Sequence, residues 1–276
     1  MKKYYIIYLL FSVVLCSCYD REKPVDKRKL TAGDFRMFQQ TPAWALAKAV
    51  DDEDKVEIMT IARKNPEIVN YQSSIFGETL LHCAIQQQKD ESVRGLISAK
   101  ADVNIQDSIN GDTPLNDACS NNSNNLEIIK LLIDNGANVN ALTGAKEAYY
   151  TPLMSACYGH FLEAAQLLLE NGANINHMNS DGYTAFGLSL ILEDYEMAYY
   201  LLKHGADFKV PIIYERDYSK EDTVITIRPI YIKEYMGGIN VDYFTSGRKY
   251  YYKIIEYLKE SGIQIEAQGE RNRYSQ

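Results

Sequence analysis

The sequence has few histidines and no excess of positive charge. It contains 4 histidines, and its 37 acidic residues outnumber its 29 lysines and arginines, which gives a formal net charge of −8. Proteins that bind nucleic acid present basic surfaces, so this balance argues against a nucleic-acid partner. An acidic surface favours a basic partner, although net charge also serves simply to keep a protein soluble. No two histidines have the spacing of metal ligands and no Ser/His/Asp or Cys/His set is evident, so we expect no metal, no cofactor and no catalytic residues.

The chain also lacks an apolar run long enough to span a bilayer comfortably. Its amino terminus, MKKYYIIYLLFSVVLCSC, has a basic start followed by apolar residues and two cysteines, which is typical of an export signal. The phrase Leu15-Cys16-Ser17-Cys18 resembles a bacterial lipobox, which predicts that residues 1–17 are removed and that Cys18 carries a lipid. An ordinary signal peptide and a retained anchor helix are the alternatives, and all three export the chain. We expect a membrane-anchored bacterial lipoprotein that faces the periplasm or the cell surface.

The residues that follow this signal are charged and of mixed sign. Residues 18–40 include DREKPVDKRK and show no helical stripe, so they predict a flexible tether. A coil of about 20 residues would hold the folded part about 25 Å from the membrane. Folding is expected to begin near Thr41. Apolar residues within 41–76 have the spacing of two short amphipathic helices, which indicates a degenerate first repeat that caps the stack.

A six-residue phrase, Thr-x-Leu-x-x-Ala, recurs along the middle of the chain. It begins at Thr79, Thr113 and Thr151, and Thr184 starts a fourth copy with Phe186 in the leucine place. The threonines are 34, 38 and 33 residues apart, and a period of this length indicates stacked helix pairs. A second phrase closes the copies, as in LLIDNGANVN and LLLENGANIN, where a glycine ends a helix.

With TPLNDA and TPLMSA in its second and third copies, the chain resembles the ankyrin repeat family, whose unit is a β-turn followed by two antiparallel helices. The resemblance implies an all-α repeat solenoid. Its four repeats are placed at about 77–110, 111–148, 149–181 and 182–208. The resemblance also implies that His82, in the histidine place of the family signature, hydrogen-bonds between turns and helices.

The carboxyl end departs from this pattern, because 57 residues separate Gly205 from Gly262. Residues 209–266 are predicted to be a degenerate carboxyl-terminal repeat with insertions, followed by a polar tail at 267–276. KVPIIYE and TVITIRPIYI, separated by RDYSKED, predict two strands of a β-hairpin. Such a hairpin either caps the stack or grips a partner.

Besides the predicted lipid-attachment residue Cys18, three cysteines remain after export: Cys83, Cys119 and Cys157. Cys119 and Cys157 have the same place in successive copies, where neighbouring helices lie about 8–10 Å apart. A disulfide needs Cα atoms within about 7 Å of each other. We therefore predict that these cysteines are buried free thiols.

A solenoid of this kind presents its β-turns and the exposed side of its inner helices on one continuous surface. Carried over by register, the resemblance points to the residue before each signature threonine and to three positions on inner helices. These candidates for partner binding are Glu78, Asp112, Tyr150, Tyr183, Gln86, Gln87 and Tyr158. Tyr149 joins them because its turn, from Asn140 to Thr151, is longer than the others. Alternatively, Tyr150 packs on Tyr183 as a structural pair.

These features predict a membrane-tethered module that binds a protein and catalyses no reaction, for example as an inhibitor or immunity-type protein. An envelope scaffold is the alternative role. The hypothesis from another class is an enzyme with its site in residues 209–250, but that stretch contains no histidine or cysteine and no recognisable acidic motif. No small-molecule substrate is expected.

Overall fold

The computed structural model describes residues 21–120, 125–144, 148–217, 226–239 and 247–265. The predicted signal peptide, the predicted lipid-attachment residue Cys18 and the predicted tail at 267–276 lie outside these ranges. None of the helices described is both long enough and apolar enough to cross a bilayer.

Pairs of short helices make up most of the described chain, and we call the first helix of each pair inner and the second outer. The pairs are α1 (Trp44–Asp51) with α2 (Lys55–Lys64), α3 (Leu80–Gln86) with α4 (Asp90–Ser98), α5 (Pro114–Ser120) with α6 (Leu126–Asp134), α7 (Pro152–Tyr158) with α8 (Leu162–Glu170), and α9 (Ala185–Ile191) with α10 (Tyr195–Lys203). Inner helices contact each other in chain order, from α1 through α9. The fold is therefore the all-α repeat solenoid that the sequence predicts.

The signature threonines cap the inner helices. The hydroxyl oxygens of Thr151 and Thr184 accept hydrogen bonds from the backbone N–H groups three residues on, at 3.3 and 3.1 Å. These bonds satisfy donors that a helix start otherwise leaves open. In the first signature copy, His82 Nδ1 lies 2.8 Å from Thr79 Oγ1, and His82 Nε2 lies 3.2 Å from the backbone oxygen of Asp112. His82 thus has the structural role predicted for it.

Asparagine side chains link successive copies where each outer helix ends. Asn104, Asn140 and Asn176 each accept a hydrogen bond from a backbone N–H in the next copy, at 2.7–2.8 Å. Each also donates from its side-chain nitrogen to the carbonyl of the glycine that follows the next outer helix. This ladder explains why the closing phrases NGANVN and NGANIN end in asparagine.

Apolar side chains fill the space between neighbouring pairs. The residues in the leucine place of the signature are at most 1% exposed: Leu81, Leu115, Leu153 and Phe186. Cys83, Cys119 and Cys157 are buried and free of disulfides, as predicted. Burial raises the pKa of each of these thiols, so they act as small apolar core residues.

The prediction of a flexible tether is wrong for residues 21–40, which pack onto the first helix pair. The apolar residues buried there are Leu30, Phe35, Met37 and Phe38. Three of them belong to a short 3-10 helix, Phe35–Phe38, that contacts α1. These apolar residues are too few to form a periodic stripe, and they stand among charged residues. The sequence therefore does not reveal that they are buried.

Ion pairs and hydrogen bonds fix the start of this folded segment. The Arg21 guanidinium lies 3.2 Å from a carboxylate oxygen of Asp51 and 2.7 Å from one of Asp52. The Gln39 side-chain nitrogen donates to the backbone oxygens of Arg21 and Lys23. We call residues 21–40 the amino-terminal segment, and it is part of the folded unit, which the sequence predicts to begin only near Thr41.

The described residues after α10 form two strands and two more helices. β1 (Ile213–Asp217) pairs antiparallel with β2 (Thr226–Ile230), and α11 (Ile232–Gly238) and α12 (Arg248–Glu260) follow. Ile212, at the base of the strands, is fully buried. The loop between the strands lies outside the described residues, so a capping or gripping role for the hairpin stays a prediction.

Candidate protein-binding surface

The loops that connect one helix pair to the next, which we call fingers, hold the residue before each signature threonine in the same way. The carbonyl of that residue accepts a backbone hydrogen bond from the opposite arm of its finger, at 2.8–2.9 Å. The accepting residues are Glu78, Asp112, Tyr150 and Tyr183. The fingers therefore place these predicted residues at equivalent positions, beside the inner helices. We call the surface made by fingers and inner helices the inner face.

Two tyrosines meet on the inner face of the third signature copy. Tyr150 lies on the long finger and is half-buried, whereas Tyr158 lies at the end of α7 and is 51% exposed. Their ring centroids are 5.4 Å apart at an interplanar angle of 67°, and their hydroxyl oxygens are 3.3 Å apart. The ring partner of Tyr150 is therefore Tyr158, rather than Tyr183 as the structural alternative supposed.

The long finger fixes Tyr150 through a second neighbour. The Tyr150 N–H donates to Thr143 Oγ1 at 2.8 Å, and the Thr143 N–H donates to the Tyr150 carbonyl at 2.9 Å. Thr143 is buried, so the arm that carries Tyr150 is anchored in the stack. Burial raises the pKa of Tyr150, and the hydrogen bond to Tyr158 adds to this effect.

An open depression of about 390 Å³ lies beside the tyrosine pair. Its described lining residues are Asp112, Ser120, Thr143, Tyr150, Ser155 and Tyr158. We call it the tyrosine depression. It brings together three of the predicted residues, Asp112, Tyr150 and Tyr158, from two successive copies. Sequence reasoning missed the hydroxyl side chains, because serine and threonine at such positions have no distinguishing pattern.

Glu78 is not available to a partner, contrary to the prediction. It is 1% exposed, and its carboxylate accepts hydrogen bonds from the Gly33 backbone N–H and from Gln86 Nε2, both at 2.9 Å. Burial raises the pKa of this carboxyl group. Gly33 has a φ of +77°, a backbone conformation that L side chains rarely adopt, so this turn favours glycine.

The two predicted glutamines lie next to the amino-terminal segment. Gln86 is half-buried and also donates to Asp117 Oδ2 at 3.1 Å, which links two copies. Gln87 is exposed, and it lines a second depression, of about 230 Å³, together with Gly33 and Phe35. The amino-terminal segment therefore covers part of the inner face of the first signature copy. Gly33 was the residue in the sequence that could have indicated this contact, but the many charged residues before it suggested a flexible tether instead.

The remaining predicted residues lie on the fingers. Tyr149 is 43% exposed, and its backbone oxygen is 3.2 Å from Nε2 of His177 in the following finger. Tyr183 is half-buried, and its N–H donates to Asn179 Oδ1 at 2.8 Å. Neither tyrosine is among the described residues that line the tyrosine depression.

Within the described ranges, no group of three or more His, Cys, Asp or Glu side chains is placed to hold a metal ion. The remaining histidines make isolated contacts. His160 Nδ1 lies 3.1 Å from an Asp194 carboxylate oxygen, and His204 stacks on Tyr200. The arrangement of the inner face is suited to binding through aromatic and hydroxyl side chains.

Comparison with known families agrees with the geometry. The family described as ankyrin repeats (3 copies) matches residues 44–143 and 141–211, which together cover more than half of the chain. No curated protein matches the chain. On the family match and the stacked helix pairs, the chain belongs to the ankyrin repeat family.

Proposed function

We propose that this protein is a non-catalytic module that binds another protein through its inner face, at the tyrosine depression. Ankyrin repeats are protein-interaction modules, and the family match supports this class of function. The single observation that carries the proposal is the Tyr150–Tyr158 pair, in which Tyr158 is 51% exposed, beside an open depression. Aromatic side chains with a polar tip are enriched in the contacts that dominate protein interfaces.

The anchoring of the two rings supports a binding role. The Tyr150 backbone is fixed by its bonds to Thr143, and the Tyr150 and Tyr158 rings pack against each other with their hydroxyl oxygens 3.3 Å apart. Side chains that are ordered before binding lose little conformational entropy when a partner arrives. A protein partner would therefore gain most of the contact energy of both rings.

We further propose that the protein is exported and attached to a bacterial membrane by a lipid on Cys18. Arg21, three residues further on, is held by Asp51 and Asp52. Three residues span at most about 10 Å, so the first helix pair would lie close to the bilayer rather than about 25 Å away. The partner would then be a protein of the cell envelope, which the module inhibits or, in the alternative role, helps to assemble.

Affinity capture from a mild-detergent extract of the native cell tests the binding surface. We expect the full chain to capture a stoichiometric protein partner. The variant that carries both Tyr149→Ser and Tyr158→Ser should capture at least about tenfold less of that partner. The matched control carries Tyr231→Ser and Tyr252→Ser, two exposed tyrosines near the carboxyl end.

Equal loss of the partner from the control would contradict the surface. A full chain that captures no stoichiometric partner would contradict the function itself. A complex of one-to-one stoichiometry that blocks an activity of the partner would identify inhibition, whereas an envelope defect on deletion with weaker contacts would identify the scaffold role.

A further inference from the structure

We infer that Tyr149 is a partner-contacting residue that the protein keeps at a cost to its own stability. Together with Leu142 and Met178, it forms an apolar surface, which we call the finger surface, that receives apolar side chains of the protein partner. The inference rests on the proposed function and extends the contact from the tyrosine depression to the third and fourth fingers. The fingers are numbered in chain order, so that the first precedes α3 and the long finger is the third.

Tyr149 has a backbone conformation that the other fingers give to glycine. It stands two residues before a signature threonine, and its φ is +60°. Gly77, Gly111 and Gly182 stand at the same place in the first, second and fourth fingers, with φ between +69° and +85°. An L-residue is strained in this left-handed conformation, whereas glycine is not. Tyr149 therefore lowers stability relative to the glycine that this place otherwise has.

The Tyr149 side chain does not offset this strain by full burial. It is 43% exposed, so a large part of its apolar ring stays in contact with water. The contact with the fourth finger, in which His177 Nε2 lies 3.2 Å away, uses the backbone oxygen of Tyr149, which a glycine also has. Strained residues are concentrated at functional sites, where the conformation is part of the role. The Tyr149 side chain is thus retained for a contact outside the chain.

The third and fourth fingers depart from the first two at a second position, two residues after the asparagine that ends each closing phrase. In the first two fingers this position holds Gln72 and Gln106. Each side-chain nitrogen donates to a carbonyl of its own finger at 2.7–2.8 Å and to the carbonyl of the equivalent residue in the next finger at 2.6–3.0 Å. Leu142 and Met178 hold this position in the third and fourth fingers, and they are 39% and 41% exposed. Apolar side chains therefore face water where the earlier fingers make hydrogen bonds.

Exposed apolar side chains are concentrated in this part of the molecule. Among the described residues, eight large apolar side chains are exposed, and four of them are Leu142, Tyr149, Tyr158 and Met178. Single exposed apolar residues are normal, but a concentration of them marks a surface for another molecule. The third finger carries both Tyr149 and Tyr150, so the finger surface continues the tyrosine depression. Leucine, methionine and a tyrosine ring bury favourably against apolar groups, so a protein partner with apolar side chains fits this surface.

Thermal unfolding of the full chain in mild detergent tests the cost in stability. Tyr149→Gly relieves the strain and should raise the melting temperature by about 2–4 °C. Tyr149→Ala keeps the strain and removes the ring, so it should melt about 2–4 °C below the glycine variant. The matched control is Lys100→Gly, at a left-handed residue with a φ of +67° that lies outside the finger surface. It should also melt higher than the unchanged chain.

Binding is measured with the partner protein that the full chain captures, purified and titrated against each variant. Tyr149→Gly and Tyr149→Ala should both bind at least about fivefold more weakly, because both lack the ring. Lys100→Gly should bind as the unchanged chain does. Tyr149→Leu keeps an apolar side chain and should bind within about twofold, whereas Tyr149→Gln has a polar side chain and should bind about fivefold more weakly.

Restoring the glutamine of the earlier fingers gives an independent test. Leu142→Gln should weaken binding about threefold or more without lowering the melting temperature, because the new amide can donate between fingers as Gln106 does. Val56→Gln, at a residue of α2 that is 78% exposed, is the matched control and should leave binding unchanged.

Four results would overturn the inference. A lowered melting temperature for Tyr149→Gly would show that the ring supports the fold. Full binding by Tyr149→Gly, with loss of binding by Tyr158→Ser, would leave the proposed function in place and remove Tyr149 from it. Full binding by Tyr149→Gln would exclude the apolar contact. If the unchanged chain captures no partner, the proposed function and this inference fall together.

Discussion

At the scale of single residues, one place in the repeat uses two different side chains for the same purpose. His82 bridges Thr79 to the carbonyl of Asp112 in the following copy. In the next copy Asn116 Oδ1 accepts from the Thr113 hydroxyl at 2.7 Å, and its Nδ2 donates to the Ser155 hydroxyl at 3.2 Å. Each side chain makes one hydrogen bond within its own copy and one to the next copy. This position therefore requires a side chain that can make two such hydrogen bonds, and histidine is not the only one.

Lys100 occupies a turn position where the other copies have glycine. Its φ is +67°, and the glycines in the corresponding turns, Gly136, Gly172 and Gly205, have φ between +85° and +96°. An L-residue in this left-handed conformation is strained by about 1 kcal/mol. We predict that Lys100→Gly raises the melting temperature by about 2–4 °C.

The control for this prediction is a lysine-to-glycine change in a regular helix. Lys130 is exposed within α6, and Lys130→Gly should lower stability by about 1 kcal/mol because glycine is a poor helix former. Thermal unfolding followed by circular dichroism measures both variants. A lowered or unchanged melting temperature for Lys100→Gly would show that the strain is absent.

Asp117 makes stability depend on pH. Burial and the charges of Asp112, Glu78 and Asp107 raise its pKa, while the hydrogen bond from Gln86 opposes the shift. Because the folded state binds this proton more tightly than the unfolded state, the free energy of unfolding falls as the pH rises from about 4 through the raised pKa. Asparagine accepts the same bond and cannot ionise.

We therefore predict that Asp117→Asn raises the melting temperature at pH 7 by about 3 °C. The gain should shrink as the pH is lowered toward 4, where Asp117 is protonated in the folded protein. Asp134→Asn, on an exposed residue of α6, is the matched control and should give no such dependence. A gain that is equal at both pH values would refute the role of this proton.

At the scale of elements, the amino-terminal segment covers the first helix pair. Instead of presenting an open end, α1 is covered by the 3-10 helix at Phe35–Phe38, and Gly33 reaches as far as Glu78 of the first signature copy. The segment thus serves as the amino-terminal cap of the stack, in addition to the predicted degenerate repeat. It also removes part of the inner face from contact with any partner.

Phe38 provides the test of this cap. It is fully buried, and its ring meets that of Tyr71 at 6.3 Å between centroids. Phe38→Ala should cost about 3–5 kcal/mol in the unfolding of the amino-terminal part, measured by urea denaturation. Val56→Ala, at a residue that is 78% exposed, should cost nearly nothing. Equal stability of the two variants would mean that residues 21–40 are the flexible tether after all.

At the scale of the whole molecule, periodicity determines how much the sequence can predict. The repeats place Leu81, Leu115 and Leu153 in equivalent core positions, so the solenoid and the finger positions follow from the period alone. The amino-terminal segment occurs once and has no copy for comparison, and its packing depends on Gly33 meeting residues far along the chain. Repeated features are therefore predictable from this sequence, whereas single long-range contacts are not.

In the candidate surface too, the repeated positions were predictable from the sequence and the individual contacts were not. Register correctly placed Asp112, Tyr150 and Tyr183 on equivalent fingers. The repeat register also predicted that Glu78 is available to a partner, but the amino-terminal segment buries that residue. The pairing of Tyr150 with Tyr158 depends on side-chain conformation, which register does not specify.

Hydrogen–deuterium exchange of the full chain, alone and with its captured partner, tests most directly whether the protein binds through the inner face. We expect the partner to slow exchange in the finger at 140–151, in α7 and around 112–120, and to leave exchange in the outer helices α6 and α8 unchanged. Protection confined to the outer helices, or to the strands β1 and β2, would contradict it.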